Sequence, residues 1–307
     1  MMGVGETLKR GAPYLEELLM KLLPEENRFP PLFIVGAPRC GTTIVSLHLI
    51  NTFTFSYFPN ASKQNPRYPL LAACWARLRN RYEPTTETRY GIVEGPMAPS
   101  DGWPIFHRWF PKYDHSEPVD KESLHELRRM VAFLELLIGG PFANKNNNNS
   151  TRIRTLSQLF PKSLFVHVRR DPRDAVASLI EARERHDVPP DGWWSVAPPQ
   201  CFDSAPSGII ERAVRQVYEV DGYVRNALDS LPSERSSTVW YENFCREPGR
   251  LERWMEARYR ACGENLSRRK NWKGEVSYEP SSSWNRLPQS AQRKVEEVTA
   301  RNEFALK

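Results

Sequence analysis

Twice in this chain a short, almost wholly apolar run breaks into a turn and then into helical spacing, and this repeated unit restricts the fold more than any other feature. The first unit is Leu32 to Gly36 (LFIVG), a turn of Ala37, Pro38, Arg39 and Cys40, and a helix over Gly41 to Asn51. The second is Leu164 to Val168 (LFVHV), closed by Arg169 and Arg170, with a helix from about Arg173 to Arg185. Apolar runs of this length without polar alternation mark strands buried on both faces. Further strands are predicted at Phe142 to Lys145 and Ser237 to Tyr241 (STVWY). Strands alternating with helices predict an α/β chain in three layers, with a central, mostly parallel sheet flanked by helices and ligands at the carboxyl ends of its strands.

The rest of the chain decorates that frame. Helices are predicted at Tyr14 to Leu23, near Leu70 to Arg81, at Trp103 to Phe110, from Lys121 to about Ile138 and from Ser150, with two more around the fourth strand. Residues 52–120 alternate aromatic and turn-forming residues and read as an insertion that shapes a substrate site. Residues 186–208, rich in proline and carrying Trp193 and Trp194, read as a lid loop. At 307 residues the chain is assigned to a single domain, 1–307. Its formal charge of +6 suits an anionic partner, yet the basic residues are scattered, and no zinc-finger spacing or aromatic–basic repeat points to nucleic acid. The five cysteines are far apart and form no CxxC pair, so neither a disulfide framework nor a metal site is indicated. No signal-like or membrane-spanning run is recognised, which gives the expectation of a cytoplasmic protein.

The segment Gly36-Ala37-Pro38-Arg39-Cys40-Gly41-Thr42-Thr43 lies between a strand and a helix, where backbone N–H groups and the helix dipole converge on a phosphate. It resembles a Walker A loop, which makes the expected fold P-loop-like, except that Thr42 stands where a nucleoside triphosphatase needs lysine. The cation has moved back to Arg39, suited to polarising a group on a terminal phosphate. In the second unit Arg170 and Ser178 are placed to share a second anion, while Asp171 or Asp174 caps the helix.

The combination PRxGTT, followed after a later strand by RxPxDxxxS, resembles the two donor-binding signatures of sulfotransferases that use 3′-phosphoadenosine 5′-phosphosulfate (PAPS). NKNNNNSTRI, YENFCREP and SSWNRLP extend the resemblance, which is to bacterial-type members with arginine in the loop. It implies that Pro38, Arg39, Cys40, Gly41, Thr42 and Thr43 form the 5′-phosphosulfate loop and that Arg170 and Ser178 hold the 3′-phosphate. Arg268, Arg269 and Lys270 loosely resemble the late loop that completes the 3′ site; a solvated charge run is the alternative. PAPS would be cosubstrate and 3′-phosphoadenosine 5′-phosphate (PAP) the product, with no metal.

By the same resemblance Lys145 lies beside the transferring group as a transition-state cation. Asn147 occupies the position where small-molecule relatives place a histidine base, and a neutral amide cannot take the proton. Glu94 in GIVEGPMAPSDGW, read as the end of a short strand, is the leading base candidate, followed by His107, then Asp101 and His115. Trp103, Trp109, Trp193 and Trp194 would line an apolar acceptor pocket or pack in the core. The expected acceptor is a hydroxyl or amine of a small molecule, natural product or lipid, with a carbohydrate as the further alternative. Competing readings are a P-loop phosphotransferase and a nucleotide-binding protein without chemistry.

Overall fold

The structure, a computed structural model, describes residues 4–86, 93–111, 120, 123–199, 208–270, 272 and 278–301. In chain order helix α1 (Val4–Leu22) leads to strand β1 (Leu32–Val35) and α2 (Thr42–Thr52). Helices α3 (Asn60–Gln64), α4 (Pro69–Arg79) and α5 (Trp103–Phe106) follow, then α6 (His125–Ile138) and β2 (Ala143–Lys145). After α7 (Ile153–Leu159) come β3 (Leu164–Arg169), α8 (Pro172–Arg185), α9 (Ile209–Asp229) and β4 (Ser236–Trp240). Helices α10 (Tyr241–Arg246), α11 (Gly249–Ala261) and α12 (Gln289–Arg301) complete the order.

The four strands form one parallel sheet in the order β2-β1-β3-β4. Register sets Ile34 of β1 between Lys145 of β2 and Val166 of β3, so the carboxyl ends of the three strands lie side by side. Alternate residues serve opposite faces. Phe33, Val35 and Phe165 join a core with α6, α7, α8 and α9, while Leu32, Ile34, Val166 and Val168 join another with α2 and α11. The sheet is therefore sandwiched between helical layers, the P-loop-like α/β arrangement the sequence predicts.

Boundaries differ where propensity and packing disagree. Helix α1 begins at Val4, ahead of the expected start at Tyr14, and runs through Pro13, whose missing N–H costs the helix one backbone bond. Helix α5 stops at Phe106, and the Trp109 and Phe110 beyond it are core residues in a turn. Helix α6 begins at His125, with residues 121 and 122 outside the described set.

Candidate active site

Strand β1 delivers the first loop onto a crowded seat. A Cβ at Gly36 would lie 2.4 Å from the Val168 carbonyl oxygen, so only glycine lets the loop leave the sheet there. Ser150 fastens the same residue, its hydroxyl accepting from the Gly36 N–H and contacting the Gly36 carbonyl, each at 2.9 Å. Arg39 takes a left-handed φ of 67°, and Gly41 follows at 91°, where a Cβ would meet the Tyr241 ring at 2.5 Å. Helix α2 then starts with no side-chain cap and no acidic residue in its first turn, leaving its N-terminal N–H groups for a ligand. Pro38 and Cys40 are buried; Cys40 sits in the core, its thiol pushed up to about 12 by burial, so it serves the loop through its backbone alone.

Strand β3 delivers Arg170, which is buried. Its Nη1 donates to the Arg39 carbonyl at 3.0 Å, Nη2 donates to the Ser281 carbonyl and hydroxyl, and its Cζ lies 5.0 Å from the Tyr241 ring centroid. Its Nε is buried without a partner. Ser178, on the second turn of α8, accepts from Arg39 Nε at 3.0 Å. The two residues expected to share one anion are thus both bonded to Arg39, Arg170 at its carbonyl and Ser178 at its side chain. Burial, then the neighbouring Arg170 and Arg185, lower the pKa of Arg39, as befits a cation held among cations.

Ser281 is a site residue that sequence reasoning missed. Asp171 caps α8, accepting from Arg173 N at 2.9 Å, while Asp174 accepts from Ser283 N and Trp284 N at 2.9 and 2.8 Å. That clasp brings the SSWNRLP segment to Arg170. The cluster expected to complete the 3′ site does not reach it. Arg268 pairs with Glu252 and Glu256, each at 2.8 Å, and Arg269 Nε donates to the Ile50 carbonyl at 2.8 Å. The Arg269 guanidinium thus secures the carboxyl end of α2, a favourable place for a cation, while that of Arg268 is held by carboxylates of α11. Lys270 is exposed beside residues outside the described set.

Two chambers open over the strand ends. The first, of about 390 Å³, is bounded by the loop, Arg170, Tyr241, Tyr278 and Ser281. The second, of about 470 Å³, lies toward α3 and residues 93–103. They meet at Thr43, Leu47, Lys145, Asn147 and Trp194, which line both. Burial lowers the pKa of Lys145; Asp101 opposes that shift, and Lys63 and Arg39 add to it. Asn147 accepts from Thr42 Oγ1 at 3.2 Å and donates to Ser195 Oγ at 3.0 Å, bridging the loop to residues 193–195.

Those residues are a pinned wall. Arg183 Nη1 donates to the Gly192 carbonyl at 2.8 Å, Arg212 Nε to the Pro190 carbonyl at 3.1 Å, and Gln216 Nε2 to the Trp194 carbonyl at 2.6 Å. In the second chamber the carboxylate is Asp101, paired with Lys63 at 3.0 Å. Glu94 is exposed, lies outside both chambers, and follows no strand among the described residues. His107 sits edge-on to Trp103 with centroids 4.8 Å apart, outside the chambers, its pKa lowered by burial and by Arg152. His115 lies outside the described residues. Trp103, Trp193 and Trp194 line the second chamber, whereas Trp109 is core, its Nε1 donating to the Ser123 carbonyl at 3.0 Å. Among the described residues no group of His, Cys, Asp and Glu gathers that could hold a metal ion, and no helix is long and apolar enough to cross a membrane.

A parallel sheet with phosphate-type loops at the carboxyl ends of adjacent β1 and β3 defines the P-loop-like class of α/β proteins. Residues 30–268 match the model of the sulfotransferase family, and the chain belongs to that family. Its fold is similar to that of sulfotransferase STF9 from Mycobacterium avium, at 16% identity and a TM-score of 0.57, over 99% of this chain and 83% of that one. It is also similar to sulfotransferase STF1 from Mycobacterium tuberculosis H37Rv, at 15% identity and a TM-score of 0.56, over 96% and 80% of the two chains. At such identities the likeness is one of fold. No curated protein matches the chain.

Proposed function

We propose that this chain transfers a sulfuryl group from PAPS to a hydroxyl or amine of a small-molecule, natural-product, lipid or carbohydrate acceptor, releasing PAP. The observation that carries the reading is the charge of the first chamber. Among the described residues its ionised lining groups are Arg39, Lys145 and Arg170, with no carboxylate, and Arg170 has a buried, unpartnered Nε. Such a chamber favours an anion with more than one phosphate-like group. Trp194, Tyr241 and Tyr278 offer faces for an aromatic base.

In this reading the backbone from Pro38 to Thr43 and the start of α2 hold the 5′-phosphosulfate, and Arg170 with Ser281 holds the 3′-phosphate. Ser178 orients Arg39. Arg39 and Lys145 stabilise charge growing on the leaving phosphate and the equatorial sulfuryl oxygens, the larger part of catalysis in such displacements. The acceptor enters by the second chamber, and Asp101, on that side of Lys145, takes its proton while Lys63 holds the carboxylate in place. The bond from sulfur to the acceptor oxygen or nitrogen forms as the S–O bond to the phosphate breaks, and PAP leaves as the anion. Cysteines unpaired among the described residues (Cys40, Cys74, Cys245 and Cys262) suit a reducing compartment such as the cytoplasm.

Isothermal titration with PAP, for the native chain and for Arg170→Ala, tests the donor assignment. Micromolar binding weakened by about 10- to 100-fold in the variant is the expected result. Preference for ATP with magnesium over PAP would return the chain to the phosphotransferase reading.

A further inference from the structure

The large apolar side chains left exposed among the described residues fall on three adjoining helices. Helix α1 shows Tyr14, Leu15, Leu18 and Leu22, α4 shows Trp75 and Leu78, and α6 adds Leu136. Leu22, Trp75 and Leu78 are 77%, 54% and 84% exposed. On a helical projection the four α1 residues fall within an arc of about 100°. The opposite side of α1 carries Glu16 and Met20, both buried. Core packing therefore already has its own face of α1, and the outward stripe is surplus to it.

Glu16 fixes how the two helices lie. Its carboxylate accepts from Leu70 N at 2.8 Å and Leu71 N at 2.9 Å, capping the start of α4 with a side chain from α1. The outward residues of both helices thereby form one rigid surface, not two independent ones. Around Trp75 and Leu78 positive charge predominates, with exposed Glu83, two residues beyond Arg81, as a counter-charge at the end of the patch. Helix α4, PLLAACWARLR, holds Arg77 and Arg79 and no carboxylate, and exposed Arg67 and Arg81 flank it. Arg79 lies over Trp75, 4.8 Å from the ring centroid, and along α1 the exposed Glu17 is engaged by Lys21 at 3.1 Å.

We propose that the outer face of α1 and α4 docks on an anionic lipid bilayer, lying along its surface. Leucines with a tryptophan and a tyrosine suit the headgroup–acyl boundary, and arginines at the margin of that patch meet lipid phosphates while their stems cover apolar surface. The charge selects this occupant over a second copy of the chain. A self-complementary interface would have to bury the arginine margin against a face on which Glu17, the exposed carboxylate among the described side chains of α1, is already paired. This reading is independent of the donor chamber.

Co-sedimentation of the full chain with vesicles tests it, using phosphatidylcholine alone and phosphatidylcholine mixed with phosphatidylglycerol, at low and high salt. The native chain should bind the anionic vesicles, bind phosphatidylcholine weakly, and lose binding as salt rises. Leu18→Glu with Leu78→Glu should weaken binding about tenfold or more, and Arg77→Gln with Arg79→Gln about tenfold while flattening the salt dependence. PAP titration and circular dichroism of each variant report whether it has folded; if the glutamate pair does not fold, the glutamine pair decides alone. Failure of the native chain to bind anionic vesicles overturns the proposal, as does binding that neither pair weakens. A dimer in analytical ultracentrifugation that the glutamate pair dissolves, without vesicle binding, assigns the face to a second copy and also overturns it.

Discussion

The two chambers share five lining residues yet are built in different ways. The first is built around two strand–loop–helix units and completed by Lys145, Asn147, Trp194, Tyr241, Tyr278 and Ser281, and its ionised groups among the described residues are all cations. The second draws on α2, α3, residues 93–103, the end of β2 and residues 193–195, and it mixes Lys63 with Asp101. A donor common to a whole family asks for fixed positive charge, which contiguous loops at strand ends supply. An acceptor that varies asks for a wall that can be rebuilt without disturbing the sheet, and discontinuous segments supply that. Lys145 stands where the two meet, so the comparison is sharpest there.

Lys145→Ala should produce the largest effect, lowering kcat by about 100- to 1,000-fold while PAP affinity changes by less than about tenfold. A loss confined to PAP affinity would make Lys145 part of the first chamber only. Its pH behaviour has a definite sign. The ammonium is charged below its pKa, and burial together with Lys63 and Arg39 lowers that pKa against the pull of Asp101. Activity should therefore fall on the alkaline side at a pH below the ordinary lysine range, and Lys145→Arg, which keeps its charge, should move that fall upward.

Asp101→Asn tests the other side of the boundary. A loss of about 100-fold in kcat with PAP binding unchanged is expected, and partial recovery in Asp101→Glu would distinguish proton transfer from a merely structural role. Glu94→Gln should stay within about twofold, being an exposed change outside both chambers. A large loss at Glu94 with none at Asp101 would dissolve the distinction between the chambers as drawn.

Gly41→Ala separates loop geometry from charge. The added methyl would press on the Tyr241 ring at a φ of 91°, costing about 1–3 kcal/mol of stability in chemical denaturation. PAP binding should weaken by about tenfold, since the loop and Tyr241 bound the same chamber. Full PAP affinity in a destabilised variant would show that the loop's backbone does not touch the donor.

Much of the first chamber was legible because its determinants lie close together in the sequence. Apolar runs at Leu32 and Leu164 fix two strands, and the residues just after each run must lie at the sheet's carboxyl edge. The rest depends on contacts between distant segments. Ser281 reaches Arg170 because Asp174 clasps Ser283 and Trp284 more than a hundred residues away, and no spacing rule encodes that. Asp101 and Glu94 belong to one aperiodic stretch. What separates them is a left-handed turn at Gly102 (φ 63°) and the Asn144 Nδ2 bond to the Asp101 carbonyl at 3.2 Å, which ties that residue to β2. Trp109 and Trp103 are equally aromatic in sequence, and only packing tells core from wall.

The basic run Arg268, Arg269 and Lys270 shows the same limit from the opposite side, and the smallest expected effect tests it. Its charge and late position match what a 3′-phosphate loop would need, but Arg268 is committed to Glu252 and Glu256 and lies over Phe53, with its Cζ 4.9 Å from the ring centroid. Arg268→Ala should leave PAP affinity within about twofold and lower stability by about 0.5–1 kcal/mol, the range for a half-exposed ion pair. The loss should shrink with added salt. A tenfold fall in PAP affinity would mean that the run turns toward the ligand when it binds; the first chamber would then depend on a further remote segment besides that of Ser281, and its contrast with the second would narrow.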